Sequence, residues 1–548
     1  MLALVASVAF GCSGMQDPAR PRSLLLITLD TTRADVLSGD APSRALAPRI
    51  AALAEGGVRF PRAYTVAPLT VPAHASLLTG LVPPRHGVRD NGRFALPESA
   101  DTLAELLRAR AYETAAFVSA LVLDRGFGLD QGFDLYDQPP LVERVNGGMP
   151  AERPARETAL AAAGWLRERE RGRPFFAWVH LFDAHNPYQP SPEHLARAGG
   201  NAYRGEVAAL DDGVGIMLDA LAARGLDSET LIVLTADHGE SLGEHGELLH
   251  GALCYEATVR VPLVFRFPGA PPAPGPVRLA SLVDLFPTVL ARLGAPVPPG
   301  LDGFDLFAAS APPERGVYFE AYLGFLHYGW SPLAGWLDGR GKYLHSSEPE
   351  FYASWTDPEE QRDLARSHAR ECERARAALA TLLAQPALPR AEHGDAELEA
   401  ALSVLGYARG ESIEAGLPSP LAPSDAPSPK AGAHELEPLQ RANALFNAGR
   451  SDECRPLVAA IVRENPRNLV AADLYSLCLM HAHDFAAAAE VLRQRLTVAE
   501  AADARLNLGL CLLELGDAEA ALLEIEAAAR LAPGHPEIEA ALARARAH

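Results

Sequence analysis

The sequence is short of cysteine, short of basic residues relative to acidic ones, and has no long apolar run beyond its first dozen residues. Its six cysteines include no C-x-x-C pair, so no disulfide framework is indicated. Cys454, Cys478 and Cys511 fall in an Ala- and Leu-rich tail, where thiols act as small hydrophobes. Lysine and arginine total 49 against 70 acidic residues, a formal net charge of −21. That balance argues against nucleic acid or an anionic membrane surface as the main partner. It also means that bulk charge will not draw in an anionic substrate. A site handling such a substrate must supply positive charge locally, from a metal or a few basic residues. No later stretch reaches the roughly 18 apolar residues of a membrane span. What is present is ordinary for soluble globular protein, 48% hydrophobic and 22% charged, and 548 residues predict two or three domains.

The first residues stand apart. The apolar run Leu2 to Gly11 ends at Cys12, followed by Ser13-Gly14. This resembles a bacterial lipoprotein signal with Cys12 as the lipidated residue. Residues 1–20 are accordingly expected to be a signal and anchor. Export to the periplasm or cell envelope follows, with membrane contact through the lipid alone.

From about residue 21 to 408, apolar runs alternate with helical patterns. Leu24–Leu29, Phe175–Leu181, Leu231–Leu234 and Val261–Phe267 read as buried strands of a largely parallel sheet. Asp101–Arg110 and Arg204–Arg224 read as helices between them, and Asp124–Val145 and Pro312–Pro332 as loops. Strand then helix, repeated, predicts an α/β domain with a doubly wound, mostly parallel sheet. In such sheets ligands bind beyond the carboxyl ends of the strands, where Asp30, His180 to His185 and Asp237-His238 fall. Residues 409–433 are rich in Pro, Ser and Ala and read as an extended linker. From 434 to 548 a period emerges. Gly449-Arg450, His483-Asp484 and Gly516-Asp517 recur at spacings of 34 and 33. Helix pairs at that period resemble tetratricopeptide repeats, an all-α domain of about three copies.

Four segments carry chemistry. Asp30 ends a strand, where a carboxylate serves as a metal ligand or as a helix N-cap. Thr70 opens the run Thr70-Val71-Pro72-Ala73-His74, where a hydroxyl at a helix start meets backbone N–H groups and the positive dipole end, or merely caps the helix. His180, Asp183 and His185 cluster at a strand end, with one of the two histidines open to a core-packing role. Asp237-His238-Gly239-Glu240 follows a strand, with His250 twelve residues after His238. Adjacent Asp and His with a third ligand from a glycine-rich loop has the composition of a metal site. Glu244 and His245 in the same loop read as solvent-side residues.

Together these segments resemble the sulfatase branch of the alkaline phosphatase superfamily. Asp30 with Arg33 resembles its first metal motif, Thr70 to Gly80 its nucleophile signature, His185-Asn186-Pro187-Tyr188 its substrate-contacting segment, and Asp237-His238-Gly239 its second metal motif. Pro84 to Val88, Tyr255-Glu256 with Arg260-Val261-Pro262, Asp284 to Thr288, Lys342-Tyr343 and Asp357-Pro358-Glu359 add to the likeness, which spans residues 22 to 370. Thr70 stands where sulfatases place the Cys or Ser that becomes formylglycine, His74 where an Arg follows, and Thr31 where a second Asp follows Asp30. Ser119 to Val122 lacks the Lys and His of that family.

The resemblance therefore implies a threonine-nucleophile branch. One metal would be held by Asp30, Thr70, Asp237 and His238, and a second by His185 and His250. A histidine-rich set favours zinc over calcium, the alternative. A metal would stabilise the Thr70 alkoxide, and His74 or His185 would steady the substrate oxygens or protonate the leaving group. The first reading is a zinc-dependent hydrolase or transferase of phosphoric esters. The second is a sulfuric ester hydrolase using Thr70 directly, and the third a scaffold serving the repeats. The expected partners are an anionic ester and a protein or peptide on the concave face of the repeats.

Overall fold

A computed structural model describes residues 21–139, 153–273, 279–310, 315–392 and 417–547. Cys12 and the residues expected to form a signal lie outside the described residues.

The main sheet has seven strands. Their order is Val58–Arg59, Leu263–Arg266, Thr230–Ala236, Ser23–Leu29, Phe175–Leu181, Glu113–Phe117 and Leu135–Asp137. The last five are mutually parallel. Their near-continuous apolar sequences follow from burial on both faces: every residue of Ser23–Leu29, Phe175–Leu181 and Thr230–Ala236 is buried. The expected α/β class is present. The run Val261–Phe267 differs from its expected place in a parallel sheet. Its strand Leu263–Arg266 pairs antiparallel with Thr230–Ala236, as an edge-side strand on an otherwise parallel sheet. Helices Ala155–Glu168 and Ala202–Ala223 pack on each other beside the sheet, the second capped by Asn201.

The register places the candidate residues. Leu29 is paired with Leu181 on one side and Ala236 on the other, so Asp30 and Asp237 leave adjacent strand ends together. Thr28 lies opposite His180, which puts His180 on the sheet face that Asp30 shares.

A second, antiparallel sheet of four strands follows: Val317–Ala321, Leu333–Leu337, Lys342–His345 and Glu350–Tyr352. The segment expected to be a loop at Pro312–Pro332 thus contains a strand and the helix Leu323–Tyr328. That at Asp124–Val145 contains a short helical turn, Arg125–Phe127, and the edge strand Leu135–Asp137. Both pieces are short, and that is why composition alone did not mark them. Lys342 is fully buried, 2.9 Å from Glu360 and 3.7 Å from Glu256, tying this sheet to the loop after the main sheet.

The C-terminal region is helical. Its hairpins are Leu436–Asn447 with Ser451–Glu464, Leu469–His481 with Phe485–Val498, and Ala502–Glu514 with Ala518–Leu531, closed by Pro536–Ala547. Gly449, His483 and Gly516 all adopt positive φ at the hairpin turns, so the periodic pairs mark one repeated backbone geometry. Cys454, Cys478 and Cys511 are buried as expected. The described part of the linker, from residue 417, is not a free spacer. Leu417 packs on the main core, Pro418 O accepts from Tyr322 Oη, and Ser428 donates to Glu348.

Candidate active site

Thr70 begins the helix Thr70–Thr79, every residue of which is buried. Leu69, not Thr70, is the N-cap residue, and the Val71 N–H is taken by Asn91 Oδ1 at 2.9 Å. Pro72 is tolerated because first-turn N–H groups have no partner within the helix. The threonine hydroxyl is therefore not spent on capping. Its Oγ1 lies 3.5 Å from His238 Nε2. Asp30 is likewise no helix cap: the next helix, Ala41–Leu46, is capped by Asp40. Thr31 turns the chain away at φ 46°, and Tyr203 Oη pins that turn by donating to Thr31 O at 2.8 Å.

The Asp237-His238-Gly239 run needs its glycine. A Cβ there would lie 2.0 Å from Ala257 O, and the Gly239 N–H donates to Thr258 O. This close approach seats the loop bearing Glu240 over the strand ends. Ligand atoms of Asp30, Asp237 and His238 come within 4.8 Å of one another, as do those of His74, His180 and Asp237. His180 Nε2 is 3.2 Å from Asp30 Oδ2. His185 and His250 stand together, ring centroids 5.3 Å apart, with the His250 ring 4.4 Å from that of His238. The residues named from sequence thus converge, with one redistribution. His180 joins the carboxylates, while His185 lies on the outer side of the site, stacked on Phe182. Asp183 leaves the cluster and accepts from Ala155 N.

His74 is more enclosed than a group meeting substrate oxygens. Its Nδ1 is 2.8 Å from Thr70 O and its Nε2 3.0 Å from Thr28 Oγ1, so both ring nitrogens are engaged below Thr70. Arg33 reaches past the cluster to the Glu240 and Ser241 carbonyls and pairs with Asp35 and Glu244. Glu244 is exposed but ion-paired, and His245 is only partly exposed, its ring stacked 3.7 Å from Tyr255. The expected solvent-side role holds for neither in full.

Glu240 is the site residue that sequence reasoning passed over. It is fully buried, accepts from Tyr188 Oη at 2.8 Å, and meets His250 Nδ1 at 3.1 Å. Its only sequence signal is its place in the Asp-His-Gly-Glu run. Burial pushes its carboxyl up to about 7.

The electrostatics call for a cation. Burial, then the charges of Asp237 and Glu240, push the Asp30 carboxyl well above the usual range. Asp237, although buried, is held below that range by His238, His74 and His180. Burial lowers His74 to about 3, and His180, His185 and His250 to about 4. Neutral imidazole is the form that binds metals. Among the described residues, no Lys or Arg ion pair reaches Asp30, Asp237 or Glu240. Asp30 Oδ1, Asp237 Oδ2 and His180 Nδ1 are buried without hydrogen-bond partners. Clustered carboxylates with orphaned oxygens beside neutral histidines fit a divalent metal.

The sulfatase family model matches residues 22–295, half of the chain. The chain belongs to the sulfatase family. It is 29% identical to human arylsulfatase A over 385 residues, covering 58% of this chain and 73% of that protein. It is 28% identical to mouse steryl-sulfatase over 429 residues, covering 56% and 68%. A phosphonate monoester hydrolase of Agrobacterium radiobacter shares the fold at a TM-score of 0.54 and 24% identity, over 67% of this chain and 96% of that one. The protein is thus a sulfatase-like hydrolase, with the site described above at the carboxyl end of this family's sheet. Other family marks are structural in this sulfatase. Arg85 binds Asp302 and Gly300 O, His86 meets Ser76, and Asp284 accepts from Ser281 N and Phe304 N.

Proposed function

We propose that this sulfatase-family protein hydrolyses sulfuric or phosphoric monoesters by attack of Thr70, with a divalent metal held by Asp30, Asp237 and His238. The observation that carries this reading is the uncapped Thr70 hydroxyl beside a cation-demanding cluster. The curated relatives are sulfatases, which puts sulfate esters first among substrates. Phosphoric esters form the second reading, favoured by threonine in place of the cysteine or serine that becomes formylglycine.

A metal bound there would supply Lewis-acid stabilisation of developing oxyanions. The chain's own residues do the rest. Thr70 Oγ1 attacks sulfur or phosphorus, the bond to the ester oxygen breaks, and the proton released from Oγ1 goes to the departing alkoxide, leaving the acid esterified to Thr70. His74 holds the Thr70 carbonyl and is a positioning group. His185 and His250, at the outer side, are neutral imidazoles, so they serve as ligands or hydrogen-bond acceptors there and carry no spare proton for the leaving alcohol. Water then resolves the enzyme ester, and an acceptor alcohol in its place would make the protein a transferase. Zinc suits the ligand set better than calcium because it includes imidazole nitrogens, whereas calcium takes oxygen ligands. His185, His250 and Glu240 would hold a second ion.

We read the C-terminal hairpins as tetratricopeptide-like repeats. Support comes from their starts at Leu436, Leu469 and Ala502 and from the shared turn geometry. A protein or peptide partner and a lipid anchor at Cys12 complete the proposal. The test is a panel of p-nitrophenyl sulfate, p-nitrophenyl phosphate and a phosphate diester on zinc-loaded protein. Turnover lost in Thr70→Ala is the expected result, and turnover that survives the change would overturn it.

A further inference from the structure

A cavity of about 270 Å³ opens beside His185 and His250, and the α/β region does not enclose it alone. One side is Leu69, immediately before the nucleophile, with Leu323 of the helix that follows the first strand of the second sheet. The opposite wall is the first helix of the C-terminal region, through Leu439, Gln440 and Asn443. These positions follow the helical period, so a single face of Leu436–Asn447 looks onto the site.

That wall is fixed. Asn465 Nδ2 donates to Tyr328 O at 2.8 Å and to the buried Glu435 carboxylate, which also accepts from Asn468. Tyr328 itself packs into the apolar cluster of the first hairpin, with Leu439 and Cys454. The helix therefore belongs to the same packed body as the catalytic side, with hydrogen bonds on buried groups holding its angle.

The chemistry of the cavity differs from that of the site it adjoins. No lysine or arginine lines it; leucine is its commonest lining residue, His185, His250, His327 and Glu247 are its titratable groups, and the Gln440 and Asn443 amides are the uncharged polar groups on the helix. With a chain charge of −21 and no lysine or arginine on the helix side of the cavity, no permanently charged side chain there compensates a second anionic group on a substrate. The volume is at the small end of ligand sites, room for about one ring.

We infer that the first helix of the C-terminal region is a wall of the active site, and that it seats the alcohol portion of the ester: uncharged, mainly apolar, and about one ring in size. Gln440 and Asn443 determine its specificity. The inference rests on the proposed hydrolysis at Thr70, and deepens it by naming the leaving-group class.

The test uses the full-length, zinc-loaded protein. Gln440 is half-buried, so Gln440→Trp fills the cavity without entering the repeat core. For whichever acid is turned over, kcat/KM is compared between the p-nitrophenyl and the methyl ester. Gln440→Trp is expected to lower the aryl value at least about tenfold, mostly through KM, and to leave the methyl value within about twofold. Equal losses on both esters, or none, would overturn the inference. Calorimetry with p-nitrophenol provides a readout independent of turnover. Binding by the wild type that Gln440→Trp abolishes supports the pocket even if no ester is hydrolysed, in which case the proposed hydrolysis alone fails. A wild type that binds no p-nitrophenol overturns the pocket whatever the turnover.

Discussion

Replacing Thr70 separates a nucleophile from a structural hydroxyl. Thr70→Ala removes one oxygen and one methyl group from a residue only 2% exposed. The lost methyl costs about 1 kcal/mol of stability. The oxygen meets His238 at 3.5 Å and hydrogen-bonds the Asp30 carboxyl, and it caps no helix, so its loss adds about 1 kcal/mol. The protein should therefore fold with a slightly lower unfolding midpoint. Activity has no such tolerance. Removing the attacking atom of a covalent route costs about four decades in kcat or more, roughly 5.5 kcal/mol of transition-state stabilisation. Thr70→Ser restores the oxygen without the methyl and should recover activity to within about tenfold. The assay pairs initial rates on the aryl sulfate and phosphate with mass spectrometry of acid-quenched enzyme. The ester adduct should appear on the peptide containing Thr70 in the wild type and the serine variant, and not in the alanine variant. An alanine variant within tenfold of wild type, or an adduct on another peptide, would refute direct attack by Thr70.

Three further outcomes follow from the same geometry. Dialysis against a chelator should abolish turnover and lower the unfolding midpoint, since a bound ion at one hundred times its Kd stabilises by about 2.7 kcal/mol. Zinc should restore both in the wild type and neither in Asp237→Ala; full activity after metal removal would contradict the site. Glu206 is pushed up to about 7 by burial and by Asp183, above its unfolded value. Its stabilisation is complete below about pH 4.5 and is lost as pH rises through 7, so Glu206→Gln should gain about 1–2 kcal/mol on wild type between pH 5 and 8. Denaturant midpoints at the two pH values measure it, and parallel losses in both proteins would show the shift to be absent. Lys342→Met leaves Glu360 buried without its ion pair and should cost about 3–5 kcal/mol, part of which Lys342→Met with Glu360→Gln recovers. Urea melts decide it, and equal stability of the two variants would deny the coupling.

The parts of this protein that were legible in its sequence share one property: their signal and their structure are both local. A run such as Leu24–Leu29 is apolar throughout because both its faces are covered, and the polar residue that ends it lies at the strand's carboxyl edge. Asp30 and Asp237 could be paired in advance because parallel strands in register deliver their ends together. His180 was harder. Strand alternation puts it with Asp30, whereas His185, in the loop, faces outward, and sequence spacing alone left either free to be the packed one. Glu240 was missed because a carboxylate in a glycine-bounded loop has no composition that separates a buried partner of His250 from a solvated turn.

The second sheet escaped for a related reason. Its strands are three to five residues long and mix glycine, lysine and glutamate with their apolar positions, so neither alternation nor a continuous run stands out. The cavity beside the site lies at the far limit of this argument. Leu69 caps the helix that Thr70 begins, and Leu439 lies in the Ala- and Leu-rich tail, so sequence separation gives no sign that they share a cavity. The hydrogen bond of Asn465 to Tyr328 O and the packing of Tyr328 against Leu439 bring the two together. A helix pair that reads in isolation as a surface for other proteins is, by that docking, turned with one face toward His185 and His250. In the inferred pocket its leucines and amides meet the alcohol of an ester attacked at Thr70.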